Sequence, residues 1–401
     1  MNKYFPILSD TACKLKWGWS TVYLNTGLTA SCHRASFSPI PDNFDNFHTT
    51  NEKTSAREIM SKGQWPTGGC EYCQGVESAN GFSDRMLHNS IPGLVSDGTY
   101  PTILETYFSN TCNLACLYCN PGLSSSIDAE NIRFGDFAVG GVELISLKQK
   151  PLTELEPKFW HWMKNNFDKL ERFHFLGGEP FYQRQLDILI DFVDQHPNPQ
   201  LELNLITNLM VDQQILDKKI SQLKRLISQK KLKRLDITVS IDCWGAEQEY
   251  VRYGLKLDQW ASNFLFLLDQ RWIKLNINQT ISALTIKTMP ELLQQLAGWR
   301  KIRPVGHYFS VTEPGPSYLR PNIFGRGVFD KDFEHVLNLM TGTSSDEATA
   351  YKYMQGIANE IETHDMNTVE VKKLFVFLNE KDQRRNTNWH TTFPWLEKYV
   401  L

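Results

Sequence analysis

From Thr102 onward the chain alternates short apolar strands with amphipathic helices, and that alternation limits its fold more than any other feature. The expected strands are Thr102 to Phe108, Arg172 to Leu176, Leu201 to Thr207, Leu235 to Ile241, Ile273 to Ile281 and Val305 to Val311. Between the second and third, Tyr182, Leu186, Leu189, Ile190 and Val193 recur at helical spacing, as do Leu216, Ile220, Leu223 and Ile227 before the fourth. Strands joined through helices run parallel, with right-handed crossovers. Six such units predict an α/β fold, a partial (β/α)6 TIM-like barrel whose working face lies at the strands' C-terminal ends.

The flanks read differently. Ser20 to Leu24 and Leu28 to Cys32 flank Asn25-Thr26-Gly27, a turn signal that predicts a β-hairpin, and residues 34 to 55 read as a polar loop. After Pro321 the pattern is mostly helical, with helices expected at Asp330 to Met340, Glu347 to Glu362 and Val369 to Glu380. The expected organisation is an N-terminal module over 1–100, the barrel over 101–312 and a helical region over 313–401, with no internal repeat.

Charge narrows the partners. Over 401 residues, 42 basic side chains nearly balance 45 acidic ones, so the net charge of -3 supplies no field for nucleic acid or anionic lipid. A non-catalytic iron-sulfur or zinc protein that binds nucleic acid would need a basic face. Met1 to Asp10 has no long apolar run after a basic start, and no later stretch has the length of a membrane span. The expectation is a cytoplasmic protein with neither a membrane nor a nucleic-acid partner. In that compartment eight cysteines, at 13, 32, 70, 73, 112, 116, 119 and 243, read as metal-binding thiolates rather than disulfides.

Three of them, in Cys112-Asn-Leu-Ala-Cys116-Leu-Tyr-Cys119, follow the first barrel strand. Three thiolates hold three irons of a cubane and leave the fourth iron open to another ligand. A zinc site usually has paired C-x-x-C units and a fourth ligand. C-x3-C-x2-C with Tyr118 before the last cysteine resembles the signature of the radical S-adenosylmethionine (SAM) superfamily. The resemblance implies a [4Fe-4S] cluster on Cys112, Cys116 and Cys119 that splits SAM into a 5′-deoxyadenosyl radical. It covers about residues 102 to 312 and extends to later strand ends. Gly177-Gly178-Glu179-Pro180 resembles the station for the SAM amine. Thr207-Asn208 and Ser240-Ile241-Asp242 resemble ribose contacts, Arg252 the partner of the SAM carboxylate, and Tyr118 and Ile281 adenine contacts. Each also has a local reading: turn and cap for the polar residues, core packing for Ile281.

Cys13, Cys32 and the pair Cys70-Glu-Tyr-Cys73 complete a second set of four thiolates, a donor set that suits zinc and a [4Fe-4S] cluster alike. The C-x13-G-x4-C arrangement through Gly27 resembles the start of the twitch and SPASM auxiliary-cluster modules of radical SAM enzymes, here placed before the barrel. That resemblance implies a second, auxiliary [4Fe-4S] cluster, and Trp17, Trp19, Trp65 and Tyr72 read as an aromatic jacket around it.

Substrate class comes from resemblance alone. Ser240 to Gly245, Tyr250 to Gly254 and Arg384 to Trp389 resemble the branch holding proteusin-type peptide epimerases and peptide spliceases. That implies a ribosomally made precursor peptide as substrate and a reductant such as flavodoxin or ferredoxin. With no spare segment before the cysteine module, a separate leader-peptide-recognition protein is expected. A small metabolite is the alternative substrate. Cys243, the one cysteine outside both sets, is the candidate hydrogen donor for epimerisation, with small-residue packing as its plainer role. The absence of a cysteine in the C-terminal helices favours excision over epimerisation.

Overall fold

The computed structural model describes residues 9–78, 83–91, 93, 96–147, 154–312, 315–340 and 345–400, so most of Met1 to Asp10 lies outside the described residues. The chain divides into two compact units, each assembled from several segments: 1–110, 149–205 and 218–235 in the first, 111–148, 206–217 and 236–401 in the second.

The first unit is built on parallel strands. Trp19–Tyr23, Ile103–Tyr107, Arg172–Leu176 and the start of Asn198–Thr207 lie side by side, with Thr21 opposite Glu105, Glu105 opposite His174 and His174 opposite Asn204. Their alternate residues Val22, Leu104, Phe173, Phe175, Leu203 and Leu205 are fully buried, and helices Leu155–Asn166 and Arg184–Gln195 carry apolar stripes of their own. The expected hairpin forms: Trp19–Tyr23 pairs antiparallel with Leu28–Ala30, and Gly27, at φ +73°, donates its N–H to Tyr23 O (2.8 Å). Trp19–Tyr23 also runs parallel to Ile103–Tyr107.

Residues 34 to 55 depart from the expected loop, since they include the short strand Ser38–Pro39 and the start of helix Asn51–Ser61. Thr50 caps that helix by accepting from Lys53 N (3.4 Å). Its buried residues are Lys53, Arg57 and Met60. A stripe that is two-thirds cationic gives no apolar period to detect.

In the second unit the end of Leu232–Ser240, from Asp236 on, pairs in parallel with Lys274–Ile281, and that strand with Gly306–Val311, Ser240 facing Asn278 and Ile281 facing Val311. Helices Leu257–Asp269 and Met289–Arg300 meet through a stacked aromatic group in which Trp260, Phe264 and Trp299 are buried. The C-terminal helices form as Asp330–Leu339, Ser345–Glu362 and Thr368–Arg385. The architecture is mixed α/β, with parallel strands in both units.

Candidate functional site

The three-cysteine loop belongs to the second unit. It is tied to the helix that follows, Ser125–Phe134: the Ser125 and Ser126 hydroxyls donate to Cys112 O (3.1 and 2.8 Å), and Ser124 Oγ donates to Leu114 O (2.6 Å). Ser124 also caps the helix. Two residues of the loop, Ala115 and Cys116, pair antiparallel with Arg252 and Tyr253, which sets Arg252 directly opposite Cys116. Its Nη1 lies 4.0 Å from Cys116 Sγ. Asn208 Nδ2 reaches Cys112 Sγ at 3.6 Å and Asn113 Oδ1 at 3.0 Å.

All three thiols are half-buried. Burial first, then Cys116 and Cys112 as neighbouring negative groups, pushes the Cys119 thiol up to about 12. Burial likewise raises Cys116, against the pull of Arg252. Three thiols are gathered in one loop, where Cys116 and Cys112 both raise Cys119, an arrangement that a cationic metal core would relieve.

Behind the loop sits a buried knot. Asp242 Oδ1 accepts from Arg252 Nη2 and Thr280 N, both at 2.8 Å, while Oδ2 accepts from Arg252 Nε (2.8 Å) and Tyr118 OH (2.7 Å). Asp242 is 0% exposed and Arg252 5%. Three residues that the sequence suggested as separate SAM contacts thus hold one another, and two of the guanidinium nitrogens of Arg252 are engaged by Asp242. Gln248, which the sequence did not single out, steadies the same turn: its Oε1 accepts from Asp242 N and Cys243 N, both at 3.0 Å.

The remaining candidates occupy turns and core. Thr207 Oγ1 accepts from Leu209 N (2.9 Å) and Asn208 Oδ1 from Met210 N (2.8 Å), which supports Leu209 at φ +60°. Ser240 ends its strand opposite Asn278, and Ile281 is 0% exposed. Cys243 is also wholly buried, its Sγ 3.7 Å from Gln248 Oε1.

Gly177 to Pro180 lie in the first unit. Gly177 has φ +121°, and a Cβ there would stand 2.6 Å from Ser109 O, so glycine alone fits. Gly178 N donates to that same carbonyl (3.0 Å). Glu179 is fully buried and accepts from Phe181 N (3.2 Å), and Pro180 opens the 3-10 turn Pro180–Tyr182.

The first unit also gathers the other four cysteines. Cys13, Cys32, Cys70 and Cys73 line one pocket with Lys16 and Arg85. Gly69, at φ +103°, lies so close to Arg34 that a Cβ would come within 2.0 Å of its carbonyl oxygen, and this brings Cys70 up to the Cys32 segment. Trp17, Trp19 and Met60 pack into the same core with Cys13, Cys32 and Cys70, and Trp65 packs against it. Burial, then Cys32, pushes the Cys13 thiol up to about 12, and burial also raises Cys70 and Cys73.

Lys16, Arg34 and Arg85 line this pocket with one carboxylate, Asp84, and further basic side chains are buried behind Lys16. Lys16, Lys53 and Arg57 are each less than 9% exposed. Lys53 Nζ donates to Ser20 Oγ, Thr29 Oγ1 and Phe47 O, and Arg57 to the carbonyls of Lys16, Gly98 and His48. None of these partners is a carboxylate. Buried cations call for a compensating anion, and four thiolates around a metal core supply one. Among the described residues no three His, Cys, Asp or Glu side chains are placed to share one metal ion. In a cubane each thiolate takes its own iron, so the donor set and its cationic shell fit a cluster.

No family model and no curated protein matches the chain. Among solved structures it is similar to Streptococcus suis SuiB bound to precursor peptide SuiA, at 13% identity and a TM-score of 0.35, covering 94% of this chain and 73% of that one. It is similar also to Streptococcus suis SuiB bound to S-adenosylmethionine, at 12% identity and a TM-score of 0.36, covering 78% of this chain and 64% of that one.

Proposed function

We propose that the chain is a radical SAM enzyme that modifies a ribosomally made precursor peptide, most simply by cleaving or excising part of its backbone. One observation carries the reading: Cys112, Cys116 and Cys119 form a half-buried, mutually interacting group of three thiols, with Arg252 and Asn208 against their sulfurs. Three thiolates complete three irons of a cubane and leave one for a chelating cosubstrate. With SAM bound, a reduced [4Fe-4S] cluster there supplies a 5′-deoxyadenosyl radical for hydrogen abstraction.

The protein's own part is positional. The Ser124 to Ser126 hydroxyls fix the loop, Asn208 and Arg252 bring donors to thiolate sulfur, and the Tyr118–Asp242–Arg252 knot holds that guanidinium in place. Gly177 and Gly178 allow close backbone approach for the SAM amine, with Glu179 as acceptor. A partial (β/α)6 barrel over 101–312, between an N-terminal cysteine module and a helical region, is the architecture this reading implies. The parallel pairings within each unit support it. The module's four cysteines hold an auxiliary [4Fe-4S] cluster. A precursor peptide, a separate leader-recognition protein and a flavodoxin- or ferredoxin-type reductant are the partners.

Excision is preferred to epimerisation because Cys243, the candidate donor, is wholly buried with its sulfur against Gln248. Changing Cys112, Cys116 and Cys119 together to Ala should abolish reductive formation of 5′-deoxyadenosine while the far-UV circular dichroism stays native. Undiminished 5′-deoxyadenosine from the reconstituted triple variant would refute the assignment. Mass spectrometry of a precursor peptide coexpressed with the enzyme separates a shortened product from a full-length one.

A further inference from the structure

The four-cysteine pocket has a feature that ligand counting does not explain. Lys16, three residues past Cys13, points its ammonium inward instead of to water: it is 4% exposed, lines the pocket with Cys13, Cys32, Cys70 and Cys73, and donates to Ser31 Oγ (3.0 Å). Behind it stand Arg57, whose Nε donates to Lys16 O (2.7 Å), and Lys53, whose ammonium is pulled well below the usual lysine range by burial and then by Arg57 and Lys16. Arg85, on the pocket wall, is in electrostatic reach of Cys13 and Cys73. Among the described residues Lys16 has no carboxylate partner, so its burial calls for the negative charge of the thiolate centre it faces.

The geometry points to Lys16 as a redox-tuning residue of the four-cysteine centre, its ammonium making a [4Fe-4S] cluster there easier to reduce, with Arg57 behind it reinforcing the same field. This rests on the auxiliary-cluster reading given above. When one electron passes from a one-electron donor such as reduced flavodoxin into the cluster core, the donor is oxidised and the core reduced. No bond breaks and no proton is needed. The cluster and its four thiolates become more negative by one unit, so a fixed positive charge stabilises the reduced form more than the oxidised one.

The test is a potentiometric titration followed by electron paramagnetic resonance. It uses the anaerobically reconstituted full chain in which Cys112, Cys116 and Cys119 are Ala, so that only the N-terminal cluster gives a signal. Lys16→Met should shift the midpoint potential to a more negative value, whereas Lys16→Arg, which keeps the charge, should stay near the parent. Lys16→Gln, which removes the charge but keeps a polar end, should shift it the same way, and this variant decides the matter if Lys16→Met fails to hold iron. An unchanged midpoint in whichever of the two uncharged variants retains its cluster overturns the assignment. Stoichiometric zinc and no cubane in the parent protein would instead sink the auxiliary-cluster reading, and the tuning role with it.

Discussion

Asp242 makes four hydrogen bonds in a place closed to water, two of them to Arg252. Its value is therefore asymmetric: removing one partner leaves the other charge buried and unpaired. Asp242→Ala should cost about 3–5 kcal/mol, read as a lower urea midpoint with an unchanged slope. Histidines in the first unit make a pH prediction of the same kind. Burial, then Arg172 and His88, pulls His174 down to about 3, and burial, then His33, pulls His88 down to about 4. Their folded forms stay neutral where the unfolded chain takes up protons. Their contribution to stability is therefore complete above the ordinary histidine pKa and is lost as pH falls from there toward 3. Each contributes a slope of about 1.4 kcal/mol per pH unit down to its own folded pKa, about 4 for His88 and about 3 for His174. Thermal unfolding at stepped pH checks this, and His174→Gln should flatten the slope.

At the scale of elements, turns and caps decide whether the site assembles. Gly177 ends the strand Arg172–Leu176 with a φ that side chains rarely adopt, its Cα packed beneath Ser109 O. Gly177→Ala should cost roughly 1–3 kcal/mol through backbone strain, and on the proposed function it should weaken SAM binding more than Gly356→Ala does. The latter glycine lies within helix Ser345–Glu362 with no atom within 4 Å of a Cβ placed there. Equilibrium binding of SAM to the two reconstituted variants checks the contrast. The elements also show where sequence patterns work. Arg172–Leu176 forms at the bounds its apolar pattern suggests, and Thr368–Arg385 extends its expected span by one residue at the start and five at the end. Helix Asn51–Ser61 was not legible, because the side chains it buries are Lys53 and Arg57 beside Met60.

At the scale of the whole molecule the two cysteine sets make separable predictions. Anaerobically purified protein should carry roughly eight irons, as two cubanes, with about half retained when Cys112, Cys116 and Cys119 are Ala. Changing Cys70 and Cys73 to Ser should remove the other half, and metal analysis reads both. In heavy water an epimerase working through a thiol would place one solvent deuterium on a full-length product and need Cys243. Excision shortens the peptide and turns over in Cys243→Ala. A deuterated full-length product that appears only when Cys243 is present would overturn the preference for excision.

By itself the sequence determined the parallel α/β character and the grouping of cysteines into sets of three and four. Both follow from local rules, the period of apolar residues and the spacing of thiolates along a loop or hairpin. It could not show that Tyr118, Asp242 and Arg252 share one hydrogen-bonded knot, since residues more than a hundred positions apart meet only when the Arg252–Tyr253 strand pairs with the cysteine loop. Nor could it show that Lys16 turns into the pocket of the four thiols while Lys53 and Arg57 are buried behind it. Basic side chains read as solvated when only their neighbours in sequence are known, and burial against a thiolate site is a property of the folded pocket alone.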